Sequence, residues 1–191
     1  MGTNWRLVSL NSMKKESLAK QRKKVLTELS KMASFLDGDF VECGVYKGAT
    51  TSYLIKNCKT KIHLFDSWEG LSSLTEFDGE YYKTQKWISD INEAKTKLKK
   101  YNNAFFYKGW IPSRFNEIKD SQISLLHLDL SLYQPTKDAL NFFWSKMVPG
   151  GLVVCNFHEG YSIGAEKAVK DFFNNKLQLI EYPTGIHVAI K

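Results

Sequence analysis

Cysteine is scarce in this chain, and the three present, Cys43, Cys58 and Cys155, stand at no spacing that would hold a metal ion. Two of them lie in apolar, strand-like runs, which suits reduced and buried thiols in a cytosolic protein. No apolar run approaches the roughly 20 residues needed to cross a bilayer, and the first residues lack an apolar signal core. The expectation is a soluble, cytoplasmic protein with no membrane partner. The phosphate-cradling loops are also missing, since neither G-x-x-x-x-G-K-[ST] nor G-x-G-x-x-G occurs. There is no internal repeat, low-complexity tract or linker. The 191 residues, 43% of them hydrophobic, are therefore expected to form one domain, with a helical segment over residues 1–37 and a core over residues 38–191.

What the chain does have is an excess of positive charge, +7 in formal terms. Such a balance favours an anionic partner. The basic residues fall mainly in two runs that read as helical, so solvated faces of amphipathic helices are preferred to a nucleic-acid surface. Residues 12–35 carry Leu18, Val25, Leu29, Met32 and Phe35 at helical intervals, which predicts an amphipathic helix packed on a core. Strand-like and helical segments then alternate. The strands are "DFVECGV", "KIHLFD", "AFFYKG", "ISLLHLDL" and "GGLVVCNF"; helices are expected at about residues 49–57, 81–101, 135–147 and 163–175, with a short piece after Pro112. This alternation predicts a parallel sheet with helices on both faces. The final pair, "LQLIEY" and "GIHVAIK", is separated only by "PTG", too short for a crossover, and must form an antiparallel hairpin.

In such a sheet ligands gather outside the carboxyl ends of the strands, near the point where strand order reverses. The first strand ends in "ECGVYKGAT". Gly44 and Gly48 either allow a close backbone approach to a ligand or simply serve the tight turn. Without a phosphate loop, the turn would cradle something uncharged or zwitterionic. Asp66, at the tip of the second strand, is placed to accept hydrogen bonds from a ribose hydroxyl pair, or else caps a turn. Gly109 and Trp110 follow the third strand, where Trp110 either walls an adenine or fills core. Asp129, after the apolar run "ISLLHL", needs a partner, because an unpaired buried carboxylate costs several kcal/mol.

Taken together, "DFVECGVYKGATT", "IHLFDSWEGL", "FYKGWIPSRF", "HLDLSLYQPTKDALNFFWSKMVPGGLVV" and "GAEKAVKDFF" resemble the class I S-adenosylmethionine-dependent methyltransferases, specifically the macrocin O-methyltransferase (TylF-like) family. The resemblance covers residues 38–173. It implies a Rossmann-like α/β fold with a seven-stranded, mostly parallel sheet and a C-terminal antiparallel hairpin, and S-adenosylmethionine as cofactor. Carried over, it assigns Glu42, Gly44, Val45, Tyr46, Gly48 and Thr50 to the turn at the cofactor's methionine side. Asp66, Ser67 and Trp68 would lie at the ribose, Gly109 and Trp110 near the adenine, and Asp129 near the methionine amino group and the reaction centre. His158 is placed to take the acceptor proton, with Asp129 as its orienter, unless it is a surface histidine with no role. His63, His127 and His187 read as packing or sheet-face residues.

The chain departs from the family where Ser131 replaces an acid and where Asn156 and Phe157 replace an acidic pair. In metal-dependent members those acids help hold a divalent cation, and Asp129 with Asn156 alone makes a poor magnesium site. No metal is expected. The long segment over residues 68–87 offers Phe77, Tyr81, Tyr82 and Trp87 as a substrate wall or as core. The first 35 residues either cover the opposite side or form a subunit contact in a homodimer. The resemblance suggests a sugar hydroxyl on a small molecule or glycan as acceptor. Two other classes remain open: a cofactor-binding protein without transfer, suggested by the missing acids, and a nucleotide or nucleic-acid methyltransferase, suggested by charge. Against the latter, no N/D-P-P-Y/F motif follows the fourth strand.

Overall fold

The computed structural model describes residues 17–83, 87–158, 160–174 and 179–191. Seven strands form one sheet in the order β3-β2-β1-β4-β5-β7-β6. They are β1 (Asp39–Cys43), β2 (Ile62–Asp66), β3 (Ala104–Lys108), β4 (Ile123–Leu128), β5 (Met147–Asn156), β6 (Ile180–Glu181) and β7 (Ile186–Ile190). The first five run parallel, and β7 pairs antiparallel with both β5 and β6. The expected terminal hairpin is present, although "LQLIEY" contributes only two strand residues and its residues 177–178 are outside those described.

Helices α1 (Leu18–Ala33), α2 (Thr51–Leu54) and α3 (Ile91–Leu98) cover one face of the sheet; α4 (Tyr133–Phe143) and α5 (Ile163–Phe173) cover the other. Strand β4 is buried along its whole length. Its alternation sends Leu126 and Leu128 toward α4 and α5 and Leu125 toward α1 and α2, each fully buried side chain contributing about 1.5–3 kcal/mol. Because both faces are covered, the strands read as apolar runs rather than as polar–apolar alternation.

Two helix expectations change. The helix over residues 49–57 contracts to one turn, α2, followed by turns. The helix over residues 81–101 begins only at Ile91, where Asp90 caps it by accepting a 2.9 Å bond from Asn92 N–H. Just before it, Trp87 has a left-handed φ of 46° and Ile88 bridges antiparallel to Glu69, so the helical pattern is interrupted by a segment tied to the chain just beyond β2. Among the described residues, the start of the predicted helix forms a 3-10 turn over Glu80–Lys83. The amphipathic helix expected over residues 12–35 appears as α1 but packs through Leu26, Leu29 and Ala33; of the residues expected to face the core, Leu18, Met32 and Phe35 are exposed, and residues 12–16 lie outside those described.

Strand order reverses between β1 and β4, whose carboxyl ends are joined by a 2.9 Å bond from Asp129 N–H to Cys43 C=O. A crevice at this point is where open α/β sheets bind ligands.

Candidate active site

A cavity of about 500 Å³ opens at this switch point, within the usual range for small-molecule sites. Its first end is made of backbone. Beyond Cys43 the chain turns through Gly44 (φ 88°) and Tyr46 (φ 50°). A Cβ at Gly44 would lie 2.3 Å from the Asp129 carbonyl oxygen, so only glycine lets β1 and β4 approach this closely. Asp66 fastens the turn: its Oδ2 accepts from Val45 N–H at 2.8 Å and Tyr46 N–H at 2.7 Å, and its Oδ1 accepts from Trp68 N–H at 2.7 Å. A carboxylate offers about four acceptor positions. Three are filled, leaving one for a ligand hydroxyl unless a turn N–H is released.

The cavity is lined by Gly44, Val45, Tyr46 and Thr50, by Asp66 and Ser67, and by Trp110, Asp129 and His158. The remaining residues assigned from sequence take other places. Trp68 is buried and donates from Nε1 to the Tyr46 carbonyl at 2.8 Å, bracing the turn from behind. Gly48 lies against Ala94 of α3, where an added Cβ would come within 3.3 Å of the alanine Cβ. Gly109 shapes the chain after β3 and donates to the Asp66 carbonyl at 2.9 Å.

Glu42 is the clearest correction. Its side chain is fully buried beneath the turn, not in the cavity. It accepts a hydrogen bond from Thr51 Oγ1 and lies 3.2 Å from Nδ1 of His127, its register partner on β4. His127 is thus more than a sheet-face filler. Burial pushes the Glu42 carboxyl upward, against the bonds to His127 and Thr51. Burial opposes the His127 cation, but Glu42 and then Asp129 raise its pKa above the ordinary value. The acid in the strand pins β1, β4 and α2 together.

The second end is made of side chains. Asp129 Oδ1 accepts from Asn156 Nδ2 at 3.0 Å. His158 is clamped through its backbone: its N–H donates to Ser162 Oγ at 3.0 Å, and its carbonyl accepts from Tyr161 N–H at 2.9 Å and Ser162 N–H at 3.0 Å. Its ring does not meet Asp129 as expected. Nδ1 sits instead 2.9 Å from Nη1 of Arg22 on α1. Desolvation lowers the His158 pKa and Arg22 lowers it further, against the opposing charge of Asp129. Tyr81, Tyr82, Trp87 and Tyr161 complete the wall, with the Tyr81 and Tyr161 rings 4.4 Å apart. Phe77 leaves the cavity and packs on Tyr133 at 4.5 Å. The loop that carries these rings is held by Asp78, which accepts from Tyr133 N–H at 2.7 Å and so supplies a negative cap to α4. Ser131 lines the cavity where the resemblance has an acid. Among the described residues no three His, Cys, Asp or Glu side chains gather in a metal-holding group.

The chain matches the family model for macrocin O-methyltransferase (TylF) over residues 2–184. The chain belongs to the TylF family. A curated relative from Streptomyces olivaceus, the 8-demethyl-8-(2,3-dimethoxy-alpha-L-rhamnosyl)-tetracenomycin-C 4'-O-methyltransferase, is 22% identical over 160 residues, covering 74% of this chain. The chain spans only 60% of that relative's length. Among solved structures, the calicheamicin methyltransferase CalS11 superposes with a TM-score of 0.75 at 16% identity, over 92% of this chain and 80% of its own. The O-methyltransferase NovP gives 0.70 at 18% identity, over 90% and 79% respectively. At these identities the superpositions establish the fold.

Within this TylF-family fold, two contributors to the site escape a reading of local sequence. Asp78 lies in a loop read for its aromatics, and Arg22 sits in a helix read as a solvated basic face. Only the "PTG" turn hints at the second. Gly185 (φ 80°) has no room for a side chain, since a Cβ would fall 2.4 Å from Phe157 O and 3.1 Å from Arg22 Nη2.

Proposed function

We propose that the protein is an S-adenosylmethionine-dependent O-methyltransferase acting on a hydroxyl of a sugar-bearing small molecule or glycan, without a metal, in the cytoplasm. The observation that carries this reading is the cavity at the switch point, which joins a carboxylate-fastened glycine turn to a second acid at the tip of β4. The fit to the cofactor is supported by the Gly44 cradle, which a Cβ would fill, and by the open acceptor position on Asp66. The turn over residues 44–46 would hold the cofactor's methionine side, Asp66 and Ser67 would hold its ribose, and Trp110, 46% exposed, would face the base. When bound, S-adenosylmethionine supplies an electrophilic methyl: the acceptor oxygen's lone pair forms the C–O bond, the C–S pair stays on a neutral thioether, and the hydroxyl proton is lost.

The protein's share is to align the hydroxyl and handle that proton. Asp129 and His158 flank the place where it must sit, and the exposed Tyr81, Trp87 and Tyr161 offer faces on which a sugar ring can stack. The family's sugar-modifying relatives support this acceptor class. Three free, buried cysteines accord with a reducing compartment.

The test is transfer of labelled methyl from S-adenosylmethionine to a panel of nucleotide-linked sugars and glycosides, with and without EDTA. The expected result is label in a sugar ether, unchanged by EDTA. Label in RNA alone, or cofactor binding without transfer to any hydroxyl, would overturn the assignment. Loss of transfer in EDTA would overturn its metal-free form.

A further inference from the structure

The guanidinium of Arg22 is held in place by two backbone carbonyls. Its Nε donates to Thr184 O at 2.6 Å in the β6–β7 turn, and its Nη2 donates to Phe157 O at 3.0 Å just beyond β5. With those bonds made, Nη1 reaches His158 Nδ1 at 2.9 Å. Arginine in a protein stays charged and offers only donors. Nδ1 must therefore be the acceptor, and a neutral His158 ring carries its one proton on Nε2. An imidazolium would set an Nδ1–H against an N–H of a cation. The lowered pKa of His158, due to desolvation and to Arg22 against the opposing pull of Asp129, runs the same way.

Building on the methyl-transfer reading, we propose that Arg22 is a positioning residue that fixes His158 as the Nε2–H tautomer, so that His158 meets the acceptor hydroxyl as a hydrogen-bond donor and not as its base. An Nε2 that already bears hydrogen has no lone pair with which to take a proton. His158 lines the cavity, and among the described residues its Nε2 has no hydrogen-bond partner. The base is then Asp129. Its Oδ1 is occupied by Asn156 Nδ2, while Oδ2 has no hydrogen-bond partner among the described residues. The acceptor's O–H bond breaks, its electron pair stays on the oxygen, and the proton passes to Asp129 Oδ2. The helix that looks like a basic outer face thereby reaches into the reaction centre, across the hairpin turn that Gly185 keeps narrow.

The experiment is long-range proton–nitrogen NMR on the nitrogen-labelled full chain, with His158 assigned among the four histidines by comparison with His158→Gln. The wild type is expected to show His158 as a neutral Nε2–H ring at pH about 7, and Arg22→Met to show a tautomer mixture with a raised ring pKa. A wild-type Nδ1–H tautomer, or an imidazolium at that pH, would overturn the inference, and this holds even if Arg22→Met fails to fold. Because this readout needs no turnover, absence of methyl transfer would count against the functional reading alone. Where transfer is found, His158→Gln, which keeps an N–H donor, is expected to stay within about 10-fold of wild type, whereas Asp129→Asn falls ~10²- to 10⁴-fold. A His158→Gln loss as deep as that of Asp129→Asn would also overturn it.

Discussion

At the ends of β1 and β2 the cavity wall is backbone, shaped by one glycine and fastened by one carboxylate. At the ends of β4 and β5 it is a set of side chains, among them His158, whose ring is met by Arg22 of α1, itself held by a carbonyl of the β6–β7 turn. The first construction is local: Gly44, Val45, Tyr46 and Asp66 lie within about two dozen residues, and their hydrogen bonds are mostly to peptide groups. The second depends on contacts between residues far apart in sequence, such as Arg22 with His158 and with Thr184. A peptide-built turn tolerates variation in the side chains around it, which suits the part of a site that binds an invariant cofactor. A site made of side chains can be rebuilt by single substitutions, which suits the part that meets the acceptor. Ser131, Asn156 and Phe157, where the family resemblance has acids, all fall in that second part.

The largest effect should come from joining the two ends too tightly. Gly44→Ala puts a Cβ into the Asp129 carbonyl at a left-handed φ, and is expected to cost on the order of 3 kcal/mol by chemical denaturation while also weakening cofactor binding. A neutral result would show that the turn is looser than its geometry indicates.

A smaller effect concerns the buried pair beneath both ends. The folded pKa of His127 lies above 6.5, so its contribution to stability is full below that value and is lost as pH rises through the folded pKa. The raised Glu42 pKa acts in the same sense above 4.5. Glu42→Gln removes the group that favours the His127 cation, leaving desolvation as the largest influence and Asp129 opposing it. The variant should lose about 1 kcal/mol near neutral pH, and its stability should no longer fall as pH rises from about 6 to 9. Denaturation midpoints across that range check the slope, and a wild type whose stability climbs with pH would contradict it.

The same contrast explains what could be read from sequence. Strand number, the terminal hairpin and the tight turn after β1 follow from periodicity, connection length and glycine spacing, all of them short-range signals. The burial of Glu42 does not, because a strand covered on both faces gives no alternation to show which way its acid points. The true start of α3 was hidden by a helical pattern that ignores the Asp90 cap and the bridge from Glu69 to Ile88. His158 could be singled out by position, but its partner lies 136 residues away, and nothing local distinguishes Arg22 from the solvated lysines beside it.

If Asp66 and the turn it fastens hold the cofactor, calorimetric titration with S-adenosylhomocysteine should register the loss of that carboxylate. Micromolar-range binding to the wild type is expected, with at least about 10-fold weaker binding to Asp66→Ala, equivalent to about 1.4 kcal/mol or more. Equal affinities in the two proteins, or no binding to the wild type, would contradict it.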